Sequence, residues 1–137
     1  MLRPKQTKYR KKQKGRISPF YEYKANTIKF GTYGLKALTQ GKLTASQLEA
    51  GRRALSSSMK RTGKVWVRAF PDYPITSKPA EVRMGKGKGN VDYWVCRIKP
   101  GKIIYEISGN NELTMKIALQ KASIKLPIST QIVGPIV

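Results

Sequence analysis

The sequence predicts an α+β fold: a mostly antiparallel sheet packed by two helices, with a basic extended N-terminal tail and a protruding Gly/Lys loop. Three observations lead there. Two stretches repeat apolar residues at helical spacing behind good capping residues, several short runs are rich in β-branched and aromatic residues, and the two kinds of segment are mixed rather than strictly alternating. A length of 137 residues is that of one domain, and no internal repeat is visible. The expected division is a basic tail over residues 1–16 and a single α+β domain over residues 17–137.

The tail carries Arg3, Lys5, Lys8, Arg10, Lys11, Lys12, Lys14 and Arg16 with no acidic residue, and only Leu2 and Tyr9 could enter a core. A block of like charges repels itself and buries little apolar surface, so its order is expected to come from a partner's phosphates. A mitochondrial transit peptide is the competing explanation; Pro4 and the missing amphipathic apolar face count against it. Residues Thr27 to Thr32 place Ile28 and Phe30 at alternate positions, a short strand leading into a turn at Gly34.

The first helix has a well-specified start. Thr44 is a good N-cap, Gln47 completes a capping box, and Leu43 with Leu48 can form a hydrophobic staple. Leu48, Gly51, Leu55 and Met59 recur at helical spacing, Glu49 can pair with Arg53, and Gly63 stands where a helix ends in the left-handed conformation. The helix is expected from Thr44 to Thr62. Its outer surface carries Arg52, Arg53, Lys60 and Arg61, which on an ordinary domain would be a solvated face.

Lys64 to Phe70 reads as a strand, and an irregular segment with Pro71, Pro74 and Pro79 follows. Val82 to Asn90 then alternates Arg83, Lys86 and Lys88 with Gly85, Gly87 and Gly89, a narrow and strongly positive finger that lets backbone approach a ligand closely. Val91 to Lys99 and Lys102 to Ser108 are expected as a hairpin about a type II turn at Pro100-Gly101, so that the finger leaves and re-enters a sheet. A second helix is expected from Asn110 or Asn111 to Lys125, with Leu113, Ile117, Ala118 and Ile124 as its apolar stripe, and a last strand from about Ile128 to Val133.

Charge restricts the function. With 28 Lys+Arg against 7 Asp+Glu the formal charge is +21, which calls for an anionic partner, nucleic acid or an acidic membrane surface. No stretch approaches the roughly 18 apolar residues of a spanning helix. There is no histidine, which removes the usual general base, the Ser-His and Cys-His arrangements and most zinc sites. The lone Cys96 lies among apolar residues and is expected to be a buried thiol. The finger is neither a Walker A loop nor a dinucleotide fingerprint, because its glycine spacing differs and a strand follows it. Ser57 and Lys60 match Ser-x-x-Lys without either companion motif, and the carboxylates are scattered singly. No enzyme chemistry and no cofactor are expected. Tyr9, Tyr21, Tyr23, Tyr33 and Trp66 could stack on unpaired bases, although Trp66 and Trp94 are expected in the core.

Six collinear segments carry a family resemblance: residues 1–11, Leu43 to Ala54, Gly63 to Arg68, Pro74 to Pro79, Val82 to Asn90 and Tyr93 to Val95. Together they resemble bacterial-type ribosomal protein sixteen of the large subunit, a family shared by bacteria and organelles. The resemblance implies a structural ribosomal component, seated on rRNA near the peptidyl-transferase centre and touching A-site and possibly P-site tRNA. By position, the eight tail cations with Arg52, Arg53, Lys60 and Arg61 match rRNA ligands, and Arg83, Met84, Gly85, Lys86, Gly87 and Lys88 match a loop directed toward tRNA. Neighbouring ribosomal proteins are implied partners; a membrane is not. Residues 17–26 and 129–137 depart from the family pattern. Because the family's motif starts at Met1, no import sequence is expected to precede it, and the drifted 17–26 segment favours a mitochondrially encoded copy over a bacterial cytoplasmic one. A free nucleic-acid-compacting protein is the alternative, since the charge alone would suffice for it.

Overall fold

The computed structural model describes residues 2–135, so Met1, where the matched tail motif begins, and the last two residues of the drifted C-terminal stretch lie outside the described residues. In chain order the elements are β1 (Tyr33–Ala37), β2 (Gly41–Thr44), α1 (Ala45–Ser58), β3 (Lys64–Val67), β4 (Tyr73–Ser77), β5 (Asn90–Ile98), β6 (Ile103–Ser108), α2 (Glu112–Ser123) and β7 (Thr130–Val133). The α+β class is as expected, with two helices and antiparallel strand pairing throughout. There are two sheets rather than one, ordered β3-β6-β1-β7 and β2-β5-β4.

The second sheet overturns the expected hairpin. The turn itself is present: Gly101 has φ +87° and the Lys102 amide reaches back to the Lys99 carbonyl at 3.3 Å. The strands on either side part company, because β5 is hydrogen-bonded by β2 and β4 while β6 is hydrogen-bonded by β3 and β1. A strand with both edges occupied has no donors or acceptors left for its sequence neighbour. The turn therefore steps the chain from one sheet to the other. β6 runs through the core with Ile103, Ile104, Tyr105, Glu106 and Ile107 all fully buried.

Residues 27–32 form no strand, and β1 begins just beyond them with Gly34 inside it, paired to Glu106 and Val133 instead of turning. The reason lies in the backbone donors. The amides of Lys29, Phe30 and Gly31 are taken by the Glu106 carboxylate, so they are unavailable to a ladder. β4 lies in the segment expected to be irregular. It tolerates Pro74 because it is an edge strand, where a missing amide costs no pairing on the outer side. The strand expected over 64–70 stops at Val67, and the last strand falls inside its expected range.

α1 starts as expected: the Gln47 amide donates to Thr44 Oγ1 at 3.2 Å, and the Thr44 amide donates to Gln47 Oε1 at 2.9 Å. Leu43 and Leu48 on either side of the cap are both fully buried. α2 is capped by Asn111, whose Oδ1 accepts from the Thr114 amide. Its buried face is Met115, Ala118, Leu119 and Ala122, leaving the expected stripe of Leu113, Ile117 and Ile124 exposed, Ala118 excepted. Two apolar stripes compete on this helix, on nearly opposite sides. The one with small Ala118 and Ala122 faces inward, and α1 packs against α2.

Candidate nucleic-acid interface

The eight tail cations expected to bind rRNA, Arg3 to Arg16, are all exposed. No helix or strand occurs over residues 2–32. The tail nonetheless has contacts of its own: Leu2 packs on the core, and residues 2–7 with Arg10 line a groove against Thr44, Ala45, Ser46 and residues 91–94. Tyr9 stays two-thirds exposed under the Lys8 ammonium.

On α1 and just past its end, Arg52, Arg53, Ser56, Ser57, Lys60 and Arg61 line one open groove, so the four cations expected on the helix do converge. Glu49 arranges two of them. Arg52 donates to it at 2.6 and 2.9 Å and Arg53 at 3.1 Å, the second being the pair expected from spacing and the first one that spacing three apart also allows. The Arg52 hydrogen bonds, opposed by partial burial and helped by Arg53, hold the Glu49 carboxyl down to about 2.

The helix ends earlier than its periodicity indicates. Lys60 (φ 51°) and Arg61 (φ 63°) both adopt left-handed backbone, with the Lys60 amide bonded to the Ser57 carbonyl and the Arg61 amide to the Ser56 carbonyl. That pair of bonds is a Schellman ending with lysine where glycine is usual. Gly63, expected as the terminator, lies beyond it at φ 82°, where an added Cβ would come within 2.2 Å of the Ser108 carbonyl. The ending swings Lys60 to a neighbouring groove shared with Lys121 and Lys125 of the α2 end. Those two cations belong to this surface and were not among the expected ligands, since only helix packing brings them to α1.

The finger joins β4 to β5. Ser77 pairs with Asn90, which fixes its base as expected, although by a strand on the entry side where irregular chain was foreseen. Residues 81–88 are exposed, Met84 by 98%, and Gly85, Lys86 and Gly87 all have positive φ. Open space surrounds Gly85 and Gly87, whereas a Cβ on Gly89 would meet the Ser77 carbonyl at 2.3 Å. Conformational freedom thus belongs to the tip glycines and close approach to the basal one.

Several aromatics expected to stack on bases are available: Tyr23 is 80% and Tyr21 43% exposed. Trp66 and Trp94 are only half-buried, outside the core cluster. Trp66 stacks instead on the exposed Phe30 ring, at 6.4 Å between centroids. Cys96 is buried as expected, and burial pushes its thiol up.

The sequence is similar to those of known proteins. Large ribosomal subunit protein uL16 of Psychrobacter cryohalolentis is 56% identical over 133 residues, covering 97% of this chain and 96% of the relative. The uL16 proteins of Dichelobacter nodosus (55% over 130 residues, 95% and 94% covered) and Buchnera aphidicola (53% over 137 residues, 100% and 99% covered) are similar to the same extent. These relatives are bacterial, which leaves the mitochondrial preference unsupported and is consistent with the bacterial alternative. These relatives carry the name of a ribosomal protein, not of an enzyme. The profile of the ribosomal protein L16p/L10e family matches residues 4–133, and the chain belongs to that family.

Proposed function

We propose that the chain is a structural constituent of the large ribosomal subunit, in a bacterial ribosome, that binds rRNA through its tail and the α1 groove and offers its finger to A-site tRNA near the peptidyl-transferase centre. The observation that carries this is the pairing of a sheet-anchored Gly/Lys loop, exposed over residues 81–88, with two further cationic surfaces, in a chain whose relatives are named large-subunit proteins. The tail cations would neutralise rRNA phosphates and Arg52, Arg53, Lys60 and Arg61 would do the same from the helix, with a salt dependence of roughly 0.7–0.9 log units per decade for each contact. Arg83 to Lys88 would meet tRNA by charge and shape, Met84 adding an apolar tip. Neighbouring ribosomal proteins complete the seat, and no chemistry is performed.

The test is to replace Arg83, Lys86 and Lys88 by Ala. The protein is expected to fold and enter the subunit while tRNA accommodation slows. Normal accommodation and peptide-bond formation in such ribosomes would remove the tRNA role. Release of the wild-type protein from large subunits into the nucleoid fraction by a high-salt wash would instead favour a free compacting protein.

A further inference from the structure

The finger is tied to the tail. Lys11 Nζ donates to the carbonyl of Lys88 at 2.8 Å, and Lys88 Nζ donates back to the carbonyl of Lys12. Two residues further along the tail, the Arg97 guanidinium of β5 donates to the carbonyl of Lys14. Arg97 is itself fixed, lying 3.7 Å over the ring of Tyr73, which is buried on β4. A continuous run of contacts therefore leads from the second sheet, through Arg97 and tail residues 11–14, to Lys88 in the finger. Within the finger, Lys78 Nζ donates to the Gly85 carbonyl. Among the described residues, Arg83 and Lys86 have neither a hydrogen-bond nor an ion-pair partner in the chain.

We infer that tail residues 11–14 and the finger form one clasp, in which Lys88 and Arg97 are positioning residues and Arg83 and Lys86 are the cations presented to a phosphodiester ligand. The ligand half of this rests on the nucleic-acid reading of the finger given above. The physical reason for the clasp is conformational. A loop with three consecutive left-handed residues can point in many directions from its two-strand base, and a second attachment removes much of that freedom before a ligand arrives. Lys11, Lys88 and Arg97 each donate a charge-assisted hydrogen bond to a backbone carbonyl, which is stronger than one between neutral groups. The finger's lysines thus divide in function: Lys88 turns back to the chain, while Lys86 faces solvent.

Limited trypsin digestion of the full-length free chain, with cleavage after Lys11, Lys12 and Lys14 followed by mass spectrometry, tests the clasp without any RNA. Lys88→Ala is expected to speed tail cleavage several-fold, Lys88→Arg to restore protection, and Arg83→Ala or Lys86→Ala to leave it unchanged. All three positions are exposed, so the thermal midpoints of the four variants should stay together. Equal tail cleavage in Lys88→Ala and wild type, or acceleration by Arg83→Ala as large as by Lys88→Ala, overturns the clasp. The ligand half is tested by tRNA binding to reconstituted large subunits, where Arg83→Ala and Lys86→Ala should each weaken binding and flatten its salt dependence. A clasp that responds to Lys88 while tRNA binding ignores both substitutions would overturn the nucleic-acid reading of the finger alone.

Discussion

Arg68 donates to the carboxylate of Glu106, and the pair holds together two distant parts of the chain. Glu106 is fully buried in β6 and also accepts the amides of Phe30 at 2.6 Å, Gly31 at 2.9 Å and Lys29 at 3.2 Å. Arg68 adds a bond to the Thr27 carbonyl at 3.0 Å and lies over the Phe30 ring. Removing one member of a buried pair strands the other charge, at about 3–5 kcal/mol. Glu106→Ala should therefore destabilise by that order in a denaturant titration, and should loosen residues 27–31 first in hydrogen exchange.

The same carboxylate gives stability a pH dependence. Burial alone would raise its pKa, but the Arg68 guanidinium and the three amides together bring it below the ordinary 4.5. A carboxyl lowered on folding stabilises above its unfolded value and loses that contribution as pH falls through the folded one. Glu49 behaves likewise between 4.5 and about 2. Unfolding free energy should thus be level above the ordinary glutamate range and decline below about 4.5. In Glu106→Gln, starting from lower stability, that decline should be shallower.

Lys60 trades stability for direction. A lysine in left-handed backbone costs about 1–2 kcal/mol relative to glycine. Lys60→Gly should raise stability by about 1 kcal/mol, less a few tenths for the charge lost at the helix end. If Lys60 contacts a phosphate, the same substitution should flatten the salt dependence of rRNA binding by roughly 0.7–0.9 log units per decade. A thermal melt and a salt titration of one variant check both.

Gly63→Ala should fail in the opposite sense. The residue combines φ 82° with a Ser108 carbonyl only 2.2 Å from where a Cβ would sit, and that acceptor is backbone that cannot swing away. Strain of about 1–2 kcal/mol adds to an overpacking cost of about 1–3 kcal/mol. The variant's midpoint in denaturant should fall well below that of Thr44→Ala, which loses only the helix cap at about 1 kcal/mol.

Local sequence determined much of what depends on near neighbours, the left-handed ending of α1 at Lys60 and Arg61 being the exception. The Thr44–Gln47 capping box, the Glu49–Arg53 pair, the turn at Gly101, the buried Cys96 and the exposed cationic finger could all be read because the interacting groups lie within a few residues or follow from charge. Tertiary structure decided which strands pair, since β5 and β6 adjoin in sequence yet have their edges filled by partners from elsewhere. It also chose between the two apolar stripes of α2, bringing Lys121 and Lys125 beside Lys60. The Glu106 nest was hidden for the same reason: its donors lie some 76 residues away along the chain, and nothing near Glu106 marks it apart from the other scattered acids. The tail was readable as a charged, poorly apolar segment, but its attachment to the finger required Lys11, Lys88 and Arg97 to be brought together in space.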